Sequence, residues 1–122
     1  MIKFGLMGCG RIAKRHSELL GSKQIGGAKL IAVCDIVYER AKKIGKQFSV
    51  HSYMDMDKMM KREEIDVVVV LTPSGLHAEH VINLARFGKD IMVEKPMALT
   101  LDDADAMIKA CDHNNCRLFI IK

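Results

Sequence analysis

The sequence predicts an α/β protein built on a doubly wound parallel sheet, and three observations predict it. Apolar runs without alternation recur, "IKFGLMG", "AKLIAVC", "IDVVVVLT", "DIMVE" and "CRLFIIK"; a strand that lacks alternation is buried on both faces. Segments of helical period separate these runs. A glycine-rich turn joins the first strand to the first helix. Strict alternation of strand and helix implies right-handed crossovers and helices on both faces of the sheet. At 122 residues, 49% hydrophobic and 28% charged, the chain suits one globular unit with a real core.

In order along the chain, the first strand runs to Gly8 and the first helix is marked by Ile12, Leu19 and Leu20, ending at Gly21. After "AKLIAVC", a second helix carries Val37, Ala41, Ile44 and Phe48 at spacings of four, three and four. Asp55 reads as the N-cap of a short helix whose Met56, Met59 and Met60 fill the core. Beyond "IDVVVVLT", the segment Gly75 to Phe87 turns Leu76, Val81, Ile82 and Ala85 inward and stops at Gly88, with Ser74 able to cap it. "DIMVE" is the next strand. Thr100 with Asp103 then starts a helix whose first turn holds Asp102, Asp103 and Asp105, acids explained by capping and by the helix dipole. "CRLFIIK" is the last strand, and no helix follows to cover it. The reading is therefore a chain truncated before a C-terminal α/β domain.

Composition narrows the function classes. A net charge of +4 favours anionic ligands without compelling one, and 5% aromatic content with interleaved acids argues against a nucleic-acid platform. Cys9 and Cys34 lie in apolar runs, where free cysteine is a small hydrophobe, so a disulfide framework is not expected. "CDHNNC" gathers Cys111, His113 and Cys116 but has no second ligand pair, so no metal site is assigned. The apolar start is too short and glycine-broken for a leader, and no apolar run reaches the ~20 residues of a membrane span. Cytoplasmic residence is the expectation.

Gly8-Cys9-Gly10-Arg11-Ile12-Ala13 is a G-x-G-x-x-A set between strand and helix. In that context Gly8 makes the tight turn, Gly10 lets backbone approach a pyrophosphate, and Ala13 lets helix and strand pack, with the helix N-terminus facing the anion. Asp35 follows Gly10 by 25 residues, near the ~20-residue interval of the acid that takes the adenosine ribose hydroxyls. Its carboxylate would repel a 2′-phosphate, which favours NAD over NADP, although Arg40 is within reach. Both prolines, Pro73 and Pro96, fall just past strand ends, the edge where open parallel sheets bind ligands. His77 at that edge can face a ligand or serve the fold.

Three motifs in order, "GCGRIA", "TPSGLH" and "EKP", resemble the N-terminal dinucleotide-binding domain of the glucose–fructose oxidoreductase/inositol dehydrogenase (Gfo/Idh/MocA) family, over essentially all of residues 1–122. The resemblance implies that Gly8, Gly10, Arg11 and Ile12 hold the pyrophosphate and Asp35 the adenosine ribose. It implies that Thr72, Pro73 and His77 line the cofactor cleft, that Glu94 meets the nicotinamide-side ribose, and that Lys95 faces cofactor and substrate. The implied activity is NAD-dependent hydride transfer with a secondary hydroxyl of a sugar or cyclitol. Within the family, "LTPSGLHAEHVI" and "CRLFIIK" resemble dehydrogenases of nucleotide-linked N-acetyl uronic sugars used in lipopolysaccharide and surface-polysaccharide synthesis. The family also implies a partner histidine from a second domain, and homodimers or homotetramers.

Glu94 and Lys95 should point to different sides of an extended segment and so need not neutralise each other. Lysine is brought into acid–base range by burial and neighbouring positive charge, which oxidised nicotinamide supplies. Lys95 is thus the candidate catalytic residue, orienting the substrate hydroxyl and assisting its proton loss, and a cis Lys95–Pro96 bond would suit the fixed corner. A solvated surface pair is the bland alternative. Two further readings stay open: a non-catalytic NAD-sensing protein on the same fold, and a methyltransferase, which leaves "EKP" unexplained.

Overall fold

In the computed structural model, which describes residues 1–22 and 24–121, a single six-stranded sheet carries helices on both faces. In chain order the elements are β1 (Ile2–Met7), α1 (Ala13–Gly21), β2 (Ala28–Cys34), α2 (Tyr38–Phe48), β3 (His51–Tyr53) and α3 (Met56–Arg62). Then come β4 (Val67–Val70), a 3₁₀ turn (Ser74–Leu76), α4 (His77–Ala85), β5 (Asp90–Glu94), α5 (Leu101–His113) and β6 (Leu118–Ile121). The strand order is β3-β2-β1-β4-β5-β6 and every pairing is parallel. This is the dinucleotide-binding order, which reverses direction between β1 and β4.

The missing alternation has its expected cause. On β4, Val68 and Val70 pack with α3, α4 and α5, whereas Val69 joins the cluster under α1 and α2. Leu6 and Met7 divide between the same two layers on β1. Each central strand is therefore covered twice, and hydrophobic burial of both faces selects Val, Leu and Met at consecutive positions.

The elements differ from expectation in several places. The edge strand β3 went unforeseen: His51 is exposed, Ser52 and Tyr53 half-buried, and three such residues make no apolar run. Leu76 and Ile82 do not turn inward but are 37% and 36% exposed; His77 and Leu84 take the buried positions. The 3₁₀ turn changes the helical phase before α4 begins, and Ser74 makes no capping bond. Ile12 and Val37 precede their helices and are 45% and 46% exposed. Lys122, the last residue expected in the final strand, lies outside the described residues, and β6 starts at Leu118.

Two helix-capping signals act as read. The Asp55 side chain accepts from the Asp57 amide at 2.8 Å, and Thr100 accepts from the Asp103 amide at 3.1 Å. Cys9, Cys34, Cys111 and Cys116 are free thiols, all buried. Among the described residues no helix is long and apolar enough to cross a membrane, and no three His, Cys, Asp or Glu residues are placed to hold a metal.

Candidate functional site

A cleft of about 430 Å³ opens at the carboxyl ends of β1, β2 and β4, lined among others by Gly8, Gly10, Arg11, Ile12, Asp35 and Thr72. It sits where the sheet order reverses, because the loops after β1 and β4 leave in opposite directions and part the helix layers. Pro73, Val37, Arg40, Leu76 and His80 complete the wall.

The two glycines of the loop have different reasons to be glycine. Gly8 has φ +107°, and a Cβ there would stand 2.8 Å from the Leu71 carbonyl carbon and 2.9 Å from the Thr72 amide nitrogen. A side chain would thus collide with the backbone after β4. Gly10 is the opposite case: the nearest atom to such a Cβ is Arg40 Nη1 at 4.0 Å, so the space above it is open. An open face over backbone, beside a helix start, suits close approach of a phosphate.

Helix α1 is prepared for an anion. Its N-cap, Ile12, contributes no side-chain bond, and its first turn holds no acid. Among the described α-helices, α2, α3, α4 and α5 all carry Glu or Asp in the first turn. A helix amino end attracts negative charge, and here the sequence leaves that demand unmet. A second cleft of about 470 Å³, behind the loop between α1 and α2, is lined by Arg11, Lys14, Arg40 and Lys43 with no carboxylate. None of these four is ion-paired among the described residues.

Asp35 is 7% exposed and doubly held: Oδ2 accepts from the Cys9 amide at 2.8 Å and Oδ1 from the Val37 amide at 2.8 Å. The carboxylate therefore braces the glycine loop, a role sequence reasoning did not foresee, and the residue also lines the cleft. Burial beside this carboxylate pushes the Cys9 and Cys34 thiols up to about 12.

The histidine assignment is corrected. His77 does not line the cleft; it is 2% exposed, with Nδ1 2.9 Å from the Pro96 carbonyl oxygen and Nε2 2.8 Å from the Thr72 carbonyl oxygen. It ties the two proline corners together. Three residues on, His80 lines the cleft instead, its Nδ1 2.8 Å from Thr72 Oγ1, and burial pushes it below the ordinary imidazole value.

At the end of β5, Glu94 is part-buried, and its Oε1 accepts from His16 Nε2 on α1 at 2.9 Å. Lys95 is exposed and in no ion pair among the described residues, so the two do not neutralise each other. The Lys95–Pro96 bond is cis. Neither Glu94 nor Lys95 lines the 430 Å³ cleft; both lie along the same carboxyl edge, two strands from β1. His16 was not identified from sequence, because its only signal is a partner 78 residues away.

The donor set fits a dinucleotide: an uncapped helix start, an open glycine, a buried carboxylate at the end of β2 and flanking cations. Comparison with known proteins agrees. The family model GFO_IDH_MocA, "Oxidoreductase family, NAD-binding Rossmann fold", matches residues 2–121. The chain is 34% identical over 119 residues to the D-apiose dehydrogenase of Paraburkholderia graminis, covering 97% of this chain and 31% of that protein. It is 30% identical over 106 residues to the scyllo-inositol 2-dehydrogenase (NAD(+)) of Bacillus subtilis, covering 86% of this chain and 31% of that protein. Its structure superposes on the WlbA dehydrogenase of Bordetella pertussis, crystallised with NADH and UDP-GlcNAcA, at TM-score 0.91 and 35% identity, over 98% of this chain and 36% of that one. The chain thus spans about a third of the length of these relatives.

Proposed function

This chain belongs to the GFO_IDH_MocA oxidoreductase family, with its NAD-binding Rossmann fold, and on that premise we propose that residues 1–122 are the dinucleotide-binding domain of an NAD-dependent enzyme acting on a secondary hydroxyl of a sugar or cyclitol. The observation that carries the proposal is the single sheet edge that holds both the Gly8–Asp35 cleft and the Glu94–Lys95–Pro96 corner.

Gly8, Gly10, Arg11 and Ile12 would hold the pyrophosphate, Asp35 the adenosine ribose, Thr72 and Pro73 the cleft wall, and Glu94 the second ribose. The bound nicotinamide supplies the hydride chemistry. The chain's own part is placement and proton handling. Lys95, exposed and in no ion pair among the described residues, orients the substrate hydroxyl and assists its proton loss, a step helped when positive charge lies nearby. Asp35 excludes a 2′-phosphate by charge, so NAD is the cofactor and NADP the disfavoured one.

The finer reading takes a nucleotide-linked N-acetyl uronic sugar as substrate, in lipopolysaccharide or surface-polysaccharide synthesis. It is supported by the 0.91 TM-score match to a protein crystallised with UDP-GlcNAcA. Cytoplasmic residence and assembly as a homodimer or homotetramer belong to the same proposal. A non-catalytic NAD sensor on the same fold is the competing reading.

The test is calorimetric titration of this chain with NADH and NADPH, followed by turnover assays with UDP-GlcNAcA, scyllo-inositol and apiose on the full-length protein, since this chain spans about a third of its relatives' length and is not expected to turn over substrate alone. Tight NADH binding with weak NADPH binding is expected, together with nicotinamide turnover on at least one of the three. Binding without turnover on any of them favours the sensor, and no dinucleotide binding overturns both readings.

A further inference from the structure

His16 lies on α1, in no motif of the sequence, yet Nε2 donates to Oε1 of Glu94 at 2.9 Å across the layer from helix to sheet. Both side chains are part-buried, 21% and 14% exposed. Beneath the imidazole is an apolar cavity of about 140 Å³ lined by Phe4, Leu20, Val69, Met92 and Ile121, none of which offers a hydrogen-bonding side chain. The bond to Glu94 is the one hydrogen bond of this ring among the described residues.

From this arrangement we infer that His16 is a positioning residue of the cofactor site: it holds Glu94 by one oxygen, leaving Oε2 to accept a hydroxyl of the nicotinamide-side ribose. The inference rests on the ribose role proposed above for Glu94. Three physical points support it. A carboxylate accepts through both oxygens, so the His16 bond fixes the group without exhausting it. A charge-assisted bond inside a partly desolvated layer is stronger than a solvated one and orients its acceptor. Without His16, Glu94 would keep rotamer freedom that ribose binding must then freeze out. The neutral Nε2–H tautomer is sufficient for this role, so no titration is invoked.

The test compares NADH with ADP, which keeps the adenosine half and the diphosphate but lacks the second ribose, by titration of the chain and its variants. His16→Leu is expected to weaken NADH roughly tenfold, the scale of one lost charge-assisted bond, with ADP affinity within about twofold of wild type. Glu94→Ala should match it, and the double variant should lose no more than either alone. His16→Gln, whose amide can reach Oε1, should restore most of the loss. Equal weakening of ADP and NADH by His16→Leu would mark a general strap between α1 and β5 and overturn the inference, as would unchanged NADH affinity when Glu94→Ala weakens it. If neither variant changes NADH affinity, the Glu94 assignment itself fails. Should His16→Leu not fold, His16→Asn, too short to reach Oε1, gives the same split.

Discussion

The backbone amide of Cys9 donates to Oδ2 of Asp35 at 2.8 Å, which makes the glycine loop after β1 and the end of β2 one hydrogen-bonded unit. Asp35 also accepts from Val37. Asp35→Ala leaves two amides without their acceptor, one of them buried, and should cost about 2–4 kcal/mol in denaturant unfolding. It should also weaken NADH by at least tenfold, because brace and ribose acceptor go together. A stable variant with wild-type affinity would remove Asp35 from both roles.

The contrast between the loop glycines is sharper. Gly8→Ala combines a φ of +107° with a backbone collision at 2.8 Å and should destabilise the chain by more than about 2 kcal/mol. Gly10→Ala meets no atom closer than 4.0 Å, so its melting temperature should stay near wild type while NADH affinity falls. Paired thermal melts and titrations check both, and the opposite ordering would dissociate the open face of Gly10 from ligand approach.

His77 spans the Thr72 and Pro96 carbonyls from inside the core. His77→Leu should cost about 1–3 kcal/mol, since the neutral ring can donate to one of the two carbonyls and that bond is lost, and the loss appears in unfolding curves. His80→Leu, on the cleft wall, should cost less stability and more ligand affinity.

Lys95→Ala should cut turnover of the oxidoreductase by at least a hundredfold, with NADH affinity within about threefold of wild type. Steady-state rates at saturating cofactor separate the two. Near-normal turnover would take Lys95 out of the chemistry.

The thiols of Cys9 and Cys34, raised from 9.0 to about 12 mainly by burial, set an alkaline limit. Folded pKa values above the unfolded one mean that their contribution is complete below about 9 and is lost progressively as pH climbs toward about 12. Melting temperatures should therefore fall between pH 9 and 11, and less steeply in a Cys9→Ala, Cys34→Ala variant. Thiol reagents at neutral pH should label these two only on unfolding.

The central strands were legible because double burial writes unbroken apolar runs, and the glycine loop because its conformation excludes side chains at Gly8. What escaped depends on tertiary geometry. Strand β3 is too short and too exposed to carry a pattern, and its three residues join the sheet through backbone bonds to β2. The exchange of His77 for His80 turns on the 3₁₀ turn at Ser74–Leu76, which no apolar period announces. In the case of Glu94, alternation correctly separated it from Lys95, but its partner His16 sits 78 residues earlier and only the folded layers bring them together.

The acid-free, uncapped first turn of α1 has a thermodynamic corollary. A helix whose amino end lacks its own counter-charge is completed by whatever anion docks there, so the ligand is part of the capping chemistry of the protein. Occupancy of the cleft should therefore tighten α1 beyond any direct contact, slowing amide exchange from Ala13 to His16 and raising the melting temperature with ligand concentration. Apo and bound forms would then differ less in shape than in how firmly this one helix is closed.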